Sequence, residues 1–310
     1  MDNFSDLINW LLAGDVSIQY QVKRDLLKSS CKEIDTLQNR IPVEGWGKRF
    51  LSKRDDKTGL WGNGVYSPKW ISTHYTLLDL KNIGLPQANK QYIESSKILI
   101  DKLWFNTKGV AKTRMQDLCI CGMLLSICSY AKLPQADFDE MIDYVIKYNM
   151  PDGGWNCSWH NGSIKSSVHT TLTILEGIRD LEINNYSYRA EELNILRNSA
   201  HELLLRRRLF KSLSTGEVIK PGMLAMPYPC RWRYDILRCL DYLQSIHLPY
   251  DERMQEAIDI IKKKRRKNGR WGINRGYPGL IHFDMEKPGT DSRWNTFRAL
   301  RVLKEYAERP

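Results

Sequence analysis

Met150-Pro151-Asp152-Gly153-Gly154-Trp155-Asn156 is the stretch whose reading decides the fold. A polar turn closes on glycine and then tryptophan, with helical patterns on both sides. The string returns as Asp55-Asp56-Lys57-Thr58-Gly59-Leu60-Trp61-Gly62 and as Arg266-Lys267-Asn268-Gly269-Arg270-Trp271-Gly272. Leu103-Trp104-Phe105-Asn106-Thr107-Lys108-Gly109-Val110 reads as a degenerate copy. Such turns predict an internal repeat of roughly fifty residues, within the range of helical repeat architectures.

Each unit reads as one apolar and one amphipathic helix. The apolar runs are 70–83, 118–130, 168–181, 232–243 and 294–306. The amphipathic runs are 90–103, 138–148, 190–209 and 252–264, with charges at the spacing of a solvent-facing stripe. Ahead of them, 4–27 reads as one or two helices around the Gly14-Asp15 break, and 45–51 as another. No strand-like alternation competes. The expectation is therefore all-α: an α/α toroid, a barrel of alternating inner and outer helices, as a single domain over 1–310 with 1–44 as a helical lead-in. A linear solenoid is the alternative, but neither end carries a polar capping unit.

Composition bounds the chemistry. The chain has 310 residues, is 42% hydrophobic and holds ten tryptophans, enough to bury a large core. Its 47 Lys+Arg against 36 Asp+Glu leave +11, which favours anionic partners. No apolar run is long enough to span a bilayer, and Met1-Asp2-Asn3 opens a polar, acidic segment unlike a signal peptide, so a soluble cytoplasmic protein is expected. Seven cysteines, an odd number spread through apolar runs, argue against a secreted disulfide framework.

The candidate metal ligands lie between Arg114 and His169. Asp117 and Cys119 head one apolar run, Cys157 follows the Gly-Trp turn, and His169 heads the next run. A carboxylate, a thiolate and an imidazole fill three corners of a zinc tetrahedron and leave the fourth to water or substrate, the pattern of catalytic zinc. Cys157 is a further ligand candidate or a reactive thiol. The structural alternative has Asp117 capping its helix, Cys119 buried as a small hydrophobe and His169 bonded to a carbonyl. His160 is expected at the surface.

A second constellation precedes other apolar runs. Trp70, Trp232 and Trp294 stand beside Arg231, Arg233 and Arg293 at helix starts that a toroid would gather at one mouth. Aromatic walls with guanidinium groups suit an apolar ligand with an anionic head. His282, Asp284 and Glu286 add ionisable groups, and a His-carboxylate pair can perform acid-base work. Here the structural alternative is tryptophans stapling repeats and Glu286 pairing with Arg293. The basic runs 206–208 and 262–267 end amphipathic runs, where cations complement helix C-termini. Nucleic-acid binding would require them to share a face with stacking aromatics, and no such pattern is evident; peripheral contact with anionic lipid is open to the second run.

These motifs resemble the α/α-toroid superfamily of squalene and oxidosqualene cyclases and protein prenyltransferase β subunits, from about Gly45 onward. Asp117, Cys119 and His169 match that β subunit's zinc ligands, and Pro151-Asp152-Gly153-Gly154 with Ser167-Val168-His169-Thr170 follows its Gly-Gly and histidine order. The resemblance implies zinc activating a substrate thiolate, with Lys112 and Arg114, ahead of Asp117, facing an isoprenoid diphosphate. It is also similar to a group of bacterial squalene-cyclase-like proteins that share Asp-Gly-Gly-Trp-Asn-Cys, Pro-Cys-Arg-Trp and Ser-Arg-Trp-Asn-Thr segments. Two departures stand out: Ile120 replaces the tyrosine after the β-subunit cysteine, and the cyclases' Asp-x-Asp-Asp proton donor is absent. Fold likeness does not supply activity.

Two functions follow as expectations. One is a prenyltransferase-like or terpene-cyclase-like enzyme acting on an isoprenoid-like or other amphipathic anionic substrate in a central cavity, with zinc. The other is a noncatalytic toroid binding an anionic polymer or lipid by its basic exterior. A metal-free cyclase with an unfamiliar acid is a third.

Overall fold

A computed structural model describes residues 4–104 and 116–306. Lys112 and Arg114 lie outside the described residues, as does most of the degenerate Gly-Trp copy.

Helix formation follows the sequence periodicity closely. The lead-in breaks at Gly14 into α1 (Phe4–Leu12) and α2 (Val16–Gln21), which continues as a π-helical turn at Val22–Leu26. Asp15 caps α2 by accepting the Ser17 N–H at 2.9 Å, and its second oxygen accepts the Trp46 N–H at 2.8 Å. One carboxylate thereby fastens two helix starts. α3 (Cys31–Arg40) and α4 (Gly45–Leu51) complete the N-terminal layer.

The remaining helices alternate in character. The apolar set is α5 (Thr73–Asn82), α7 (Leu118–Tyr130), α9 (Val168–Ile183), α11 (Ile236–Ser245) and α13 (Arg293–Tyr306). The amphipathic set is α6 (Lys90–Leu103), α8 (Asp139–Lys147), α10 (Ala190–Arg206) and α12 (Gln255–Lys263). α7 buries every residue from Leu118 to Ser129. It packs against α5 on one side and α9 on the other, while α6 and α8 lie against it as well. Further along, α11 packs on α13, and α13 reaches α2 and the π-helical turn. Polar bonds join the remaining neighbours: Arg179 of α9 donates to Ser245 of α11 at 2.9 Å, and Gln21 donates to the Asn82 carbonyl at the end of α5 at 2.9 Å. One hydrophobic cluster runs from Ile8 to Tyr306.

The Gly-Trp turns share one bonding scheme. Trp61, Trp155 and Trp271 are fully buried. Their indoles donate to the Phe50, Val145 and Ile261 carbonyls at 2.7, 2.8 and 2.8 Å, each near the end of the preceding helix. Their backbone N–H groups donate to the Thr73, Thr171 and Thr296 hydroxyls at 3.0, 3.1 and 3.0 Å, each in the first turn of a following helix. Each tryptophan thus ties the end of one helix to the start of another while satisfying its own polar groups. The only strands among the described residues, β1 (Trp271–Gly272) and β2 (Asp291–Ser292), form a two-residue antiparallel ladder that brings the third turn to α13.

Candidate functional site

Cys119 lies in the first turn of α7, and Cys157 opens a 3-10 turn at Cys157–Asn161. The Cys157 sulfur accepts the Cys119 N–H at 3.3 Å and lies 3.4 Å from the Thr170 hydroxyl in the first turn of α9. The Cys119 thiol bonds the same sulfur; that bond outweighs burial and holds the Cys157 thiol down to about 7. Its counterpart moves the other way: the bond to Cys157, then burial and the charge of Asp117, push Cys119 well up. Asp117 occupies the N-cap position of α7, but its exposed side chain makes no cap bond.

His169 faces a different neighbour. Its Nδ1 accepts the Tyr234 N–H at 2.8 Å, and its ring stands edge-on to Trp232 with centroids 5.5 Å apart. Burial, then Arg238, Lys220 and Arg233, lowers its pKa to about 4, so the ring is neutral near pH 7. A neutral imidazole whose Nδ1 accepts keeps its proton on Nε2, and a protonated nitrogen has no lone pair for a metal. Among the described residues no three His, Cys, Asp or Glu side chains are arranged to hold a metal ion. The expected ligand set Asp117, Cys119 and His169 therefore does not fit zinc in this arrangement, because the backbone just ahead of α11 claims the imidazole. Cys157, the reserve ligand, is the group that meets Cys119. His160 is exposed, as expected.

The aromatic mouth forms in part. Trp70 donates from its indole to the Tyr277 and Pro278 carbonyls at 3.2 and 2.9 Å, and its backbone N–H donates to Leu280 at 2.6 Å. These bonds fold the loop 273–288 over the start of α5. Beneath it lies a cavity of about 810 Å³, walled by Phe50, Trp70, Tyr228, Ile281, Phe283 and Met285 with Arg231 among them. Arg231 donates to the buried Asp79, and its guanidinium lies 5.7 Å from the Trp70 ring centroid. Tyr228 stacks on Trp294 at 4.5 Å, and its buried hydroxyl has no hydrogen-bond partner among the described residues.

Trp232, Arg233, Arg293 and Trp294 do not line this cavity, contrary to the expected gathering of helix starts; Trp294 lies on the smaller cavity described below. Trp232 packs on His169 and under Arg233, whose guanidinium lies 4.6 Å from its centroid. Arg293 donates to the Trp10 carbonyl at 2.9 Å and covers the Trp10 ring, drawn to α1 instead.

His282, Asp284 and Glu286 all line the 810 Å³ cavity. His282 Nε2 lies 2.9 Å from the Thr76 hydroxyl, and its ring also bonds the Ile71 backbone. Burial, then Arg231 and Lys53, lowers it to about 4. Glu286 accepts the Arg293 and Trp294 N–H groups at 2.6 and 3.3 Å and the Ser292 hydroxyl, which makes it a cap for α13. Both groups are engaged within the fold, and Asp284 is exposed.

A second cavity of about 120 Å³ shares Tyr228 and Arg231 with the first. Its wall carries Lys81, Arg179, Arg231, Arg238, Arg298 and Arg301, against Glu176 and Asp241, with Asp25, Asp79 and Asp180 paired to these cations. That is six cations to five carboxylates. Arg238 holds Glu176 through two bonds, Arg298 and Arg301 both hold Asp241, and Asp180 is bonded by Lys81, Arg179 and Ser126. A third cavity of about 590 Å³ shares Lys81, Arg179 and Arg301 with the second.

The interior between the apolar helices is therefore ionic, a feature the sequence reading missed. Its signal was present as charges recurring inside apolar runs: Asp79 and Lys81, Arg179 and Asp180, Arg238 and Asp241, Arg298 and Arg301.

The basic runs are partly engaged in turn structure. Arg265 donates to the Gly269 carbonyl at 3.1 Å and Arg266 to Asp291 at 2.6 Å, beside the third Gly-Trp turn. Among the described residues no helix is long and apolar enough to cross a membrane. No family model matches the chain, and no curated protein matches it in sequence.

Proposed function

We propose that the chain is a single α/α toroid of repeated helix pairs that binds an amphipathic, anionic small molecule, isoprenoid-like in character. The apolar part occupies the 810 Å³ cavity, a volume that suits a drug-sized or prenyl-sized ligand. Its anionic head passes Tyr228 and Arg231 toward the cation-rich inner cavity. The carrying observation is the Tyr228–Arg231 junction: an aromatic cavity meets one with six cations to five carboxylates, beside a buried hydroxyl left without a partner among the described residues. A phosphate-type head would supply the missing negative charge and accept from that hydroxyl. The contacts α5–α7–α9, α11–α13 and α13–α2, closed by Gln21 on Asn82, support the ring closure.

Calorimetric titration with farnesyl diphosphate, farnesol and inorganic pyrophosphate tests this reading. Farnesyl diphosphate is expected to bind at least about tenfold more tightly than either part, a gap of about 1.4 kcal/mol. Arg301→Gln removes a cation yet leaves Asp241 with Arg298 and Asp25 with Arg24, so no carboxylate is orphaned. It should weaken both phosphate-bearing probes about tenfold and leave farnesol unchanged. Equal affinity for all three probes, or indifference to Arg301→Gln, would reject the proposal.

A further inference from the structure

Two of the side chains that the sequence offered to zinc, Cys119 and the further candidate Cys157, form a thiol pair, and this pair has its own chemistry. Two helix starts converge on one sulfur: the Cys119 N–H from the first turn of α7 at 3.3 Å and the Thr170 hydroxyl from the first turn of α9 at 3.4 Å. The Cys119 thiol completes the shell around Cys157. Donors directed at a sulfur stabilise its thiolate, which is the nucleophilic form. Cys157 is half-buried, so a small reagent can reach it, whereas Cys119 is buried behind it. Cys121, Cys128, Cys230 and Cys239 are also buried, and Cys31 is exposed far along the chain.

We infer that Cys157 and Cys119 are the attacking and resolving thiols of a disulfide-exchange site that reacts with low-molecular-weight disulfides. The Cys157 thiolate attacks one sulfur of the small disulfide, forming a mixed disulfide and expelling one thiolate. That thiolate takes the Cys119 proton. Cys119 then attacks the Cys157 sulfur, closes the protein disulfide and expels the second thiolate, which takes up from water the proton that Cys157 released on ionising. Two protein thiols are oxidised while one small disulfide is reduced to two thiols, so atoms and electrons balance. The negative charge of Asp117 disfavours the thiolate at both positions.

The test uses the full chain carrying Cys31→Ser, incubated with 2-hydroxyethyl disulfide and analysed by non-reducing peptide mass spectrometry. The expected product is a Cys119–Cys157 disulfide, with Cys157 consumed about tenfold faster than Cys121. Adding Cys119→Ser should trap the hydroxyethyl adduct on Cys157, and adding Cys157→Ser should abolish both products. Circular dichroism and a melting curve establish that each variant is folded. An adduct on Cys157 that never resolves in the Cys31→Ser chain would overturn the inference. So would reaction at the same rate as the buried cysteines, or stoichiometric zinc whose removal is needed before either thiol reacts. Farnesyl diphosphate binding is read separately with Arg301→Gln, so either proposal can fail alone.

Discussion

At the scale of single residues, buried tryptophans are tolerated where every polar atom finds a partner. Trp155 meets that condition through Val145 and Thr171, and Thr171 also lies 3.3 Å from the Trp155 carbonyl. Thr171→Val preserves shape but leaves the Trp155 N–H buried and unpaired, a loss of about 1–3 kcal/mol. Thr171→Ser restores the hydroxyl and should recover most of it. Chemical denaturation of the two variants measures the difference, and equal midpoints would show that the bond carries no weight. The same scale explains why His169 could not be read in advance. Its tautomer is set by the Tyr234 N–H, 65 positions along the chain, and no local spacing announces that donor.

Among elements, α7 and α9 make the closest helix pair. A Cβ on Gly122 would lie 2.6 Å from the Thr173 carbonyl oxygen, and one on Gly177 would lie 2.7 Å from the Gly122 carbonyl oxygen. Alanine has the better helix propensity by about 1 kcal/mol, so propensity predicts that Gly177→Ala stabilises. Close packing predicts the reverse, because both contacts are to backbone that moves only if the helices part. Packing should win, with a net loss of about 1–3 kcal/mol in denaturant unfolding; a gain would mean that the pair can separate freely. Helix positions themselves were legible. The periodicity placed α6 and α7 at their observed bounds, but it ran α10 on to 209, where Arg208 and Leu209 turn to positive φ, and began α11 early, where Asp235 instead caps from outside. It passed over α3, which buries only Leu37 and so shows little apolar rhythm. The mouth was legible through Trp70 and Arg231, because both flank helix starts. In the wall made by 273–288 the sequence set His282, Asp284 and Glu286 at the mouth, but not the path of the loop, which is placed by bonds to Trp70 and by Glu286 on α13 rather than by any pattern of its own.

For the molecule as a whole, the buried charges and imidazoles make stability a function of pH. Burial and Lys69 bring His74 down to about 3, and burial and Arg197 bring His201 to about 4, from an ordinary 6.5. As pH falls from 6.5 toward 4, the unfolded chain binds protons that these folded rings refuse. Stability is therefore lost across that window, by up to about 1.4 kcal/mol per pH unit for each ring. His169 and His282 act in the same direction. Asp79, Asp235 and Glu286 oppose them: burial raises these carboxyls, so the fold takes up their protons first and gains on acidification. Below about 4 the carboxylates that the fold holds down act, Asp180 with Asp25 and Asp241 among them. Burial would raise Asp180, but Arg179 and Lys81 outweigh burial and hold it at about 2, so its contribution is present above 3.8 and lost from there toward 2. Because groups of opposite sense act on the same curve, the slope of one variant isolates one ring better than the whole curve does. Urea unfolding at pH 7, 5.5 and 4.5 should show a shallower loss for His201→Asn than for the native chain, by up to about 1.4 kcal/mol per pH unit. The slope is the informative readout, since the lost bond to Tyr242 lowers stability equally at every pH. An unaltered slope would mean that His201 takes up its proton in the fold as readily as in the unfolded chain.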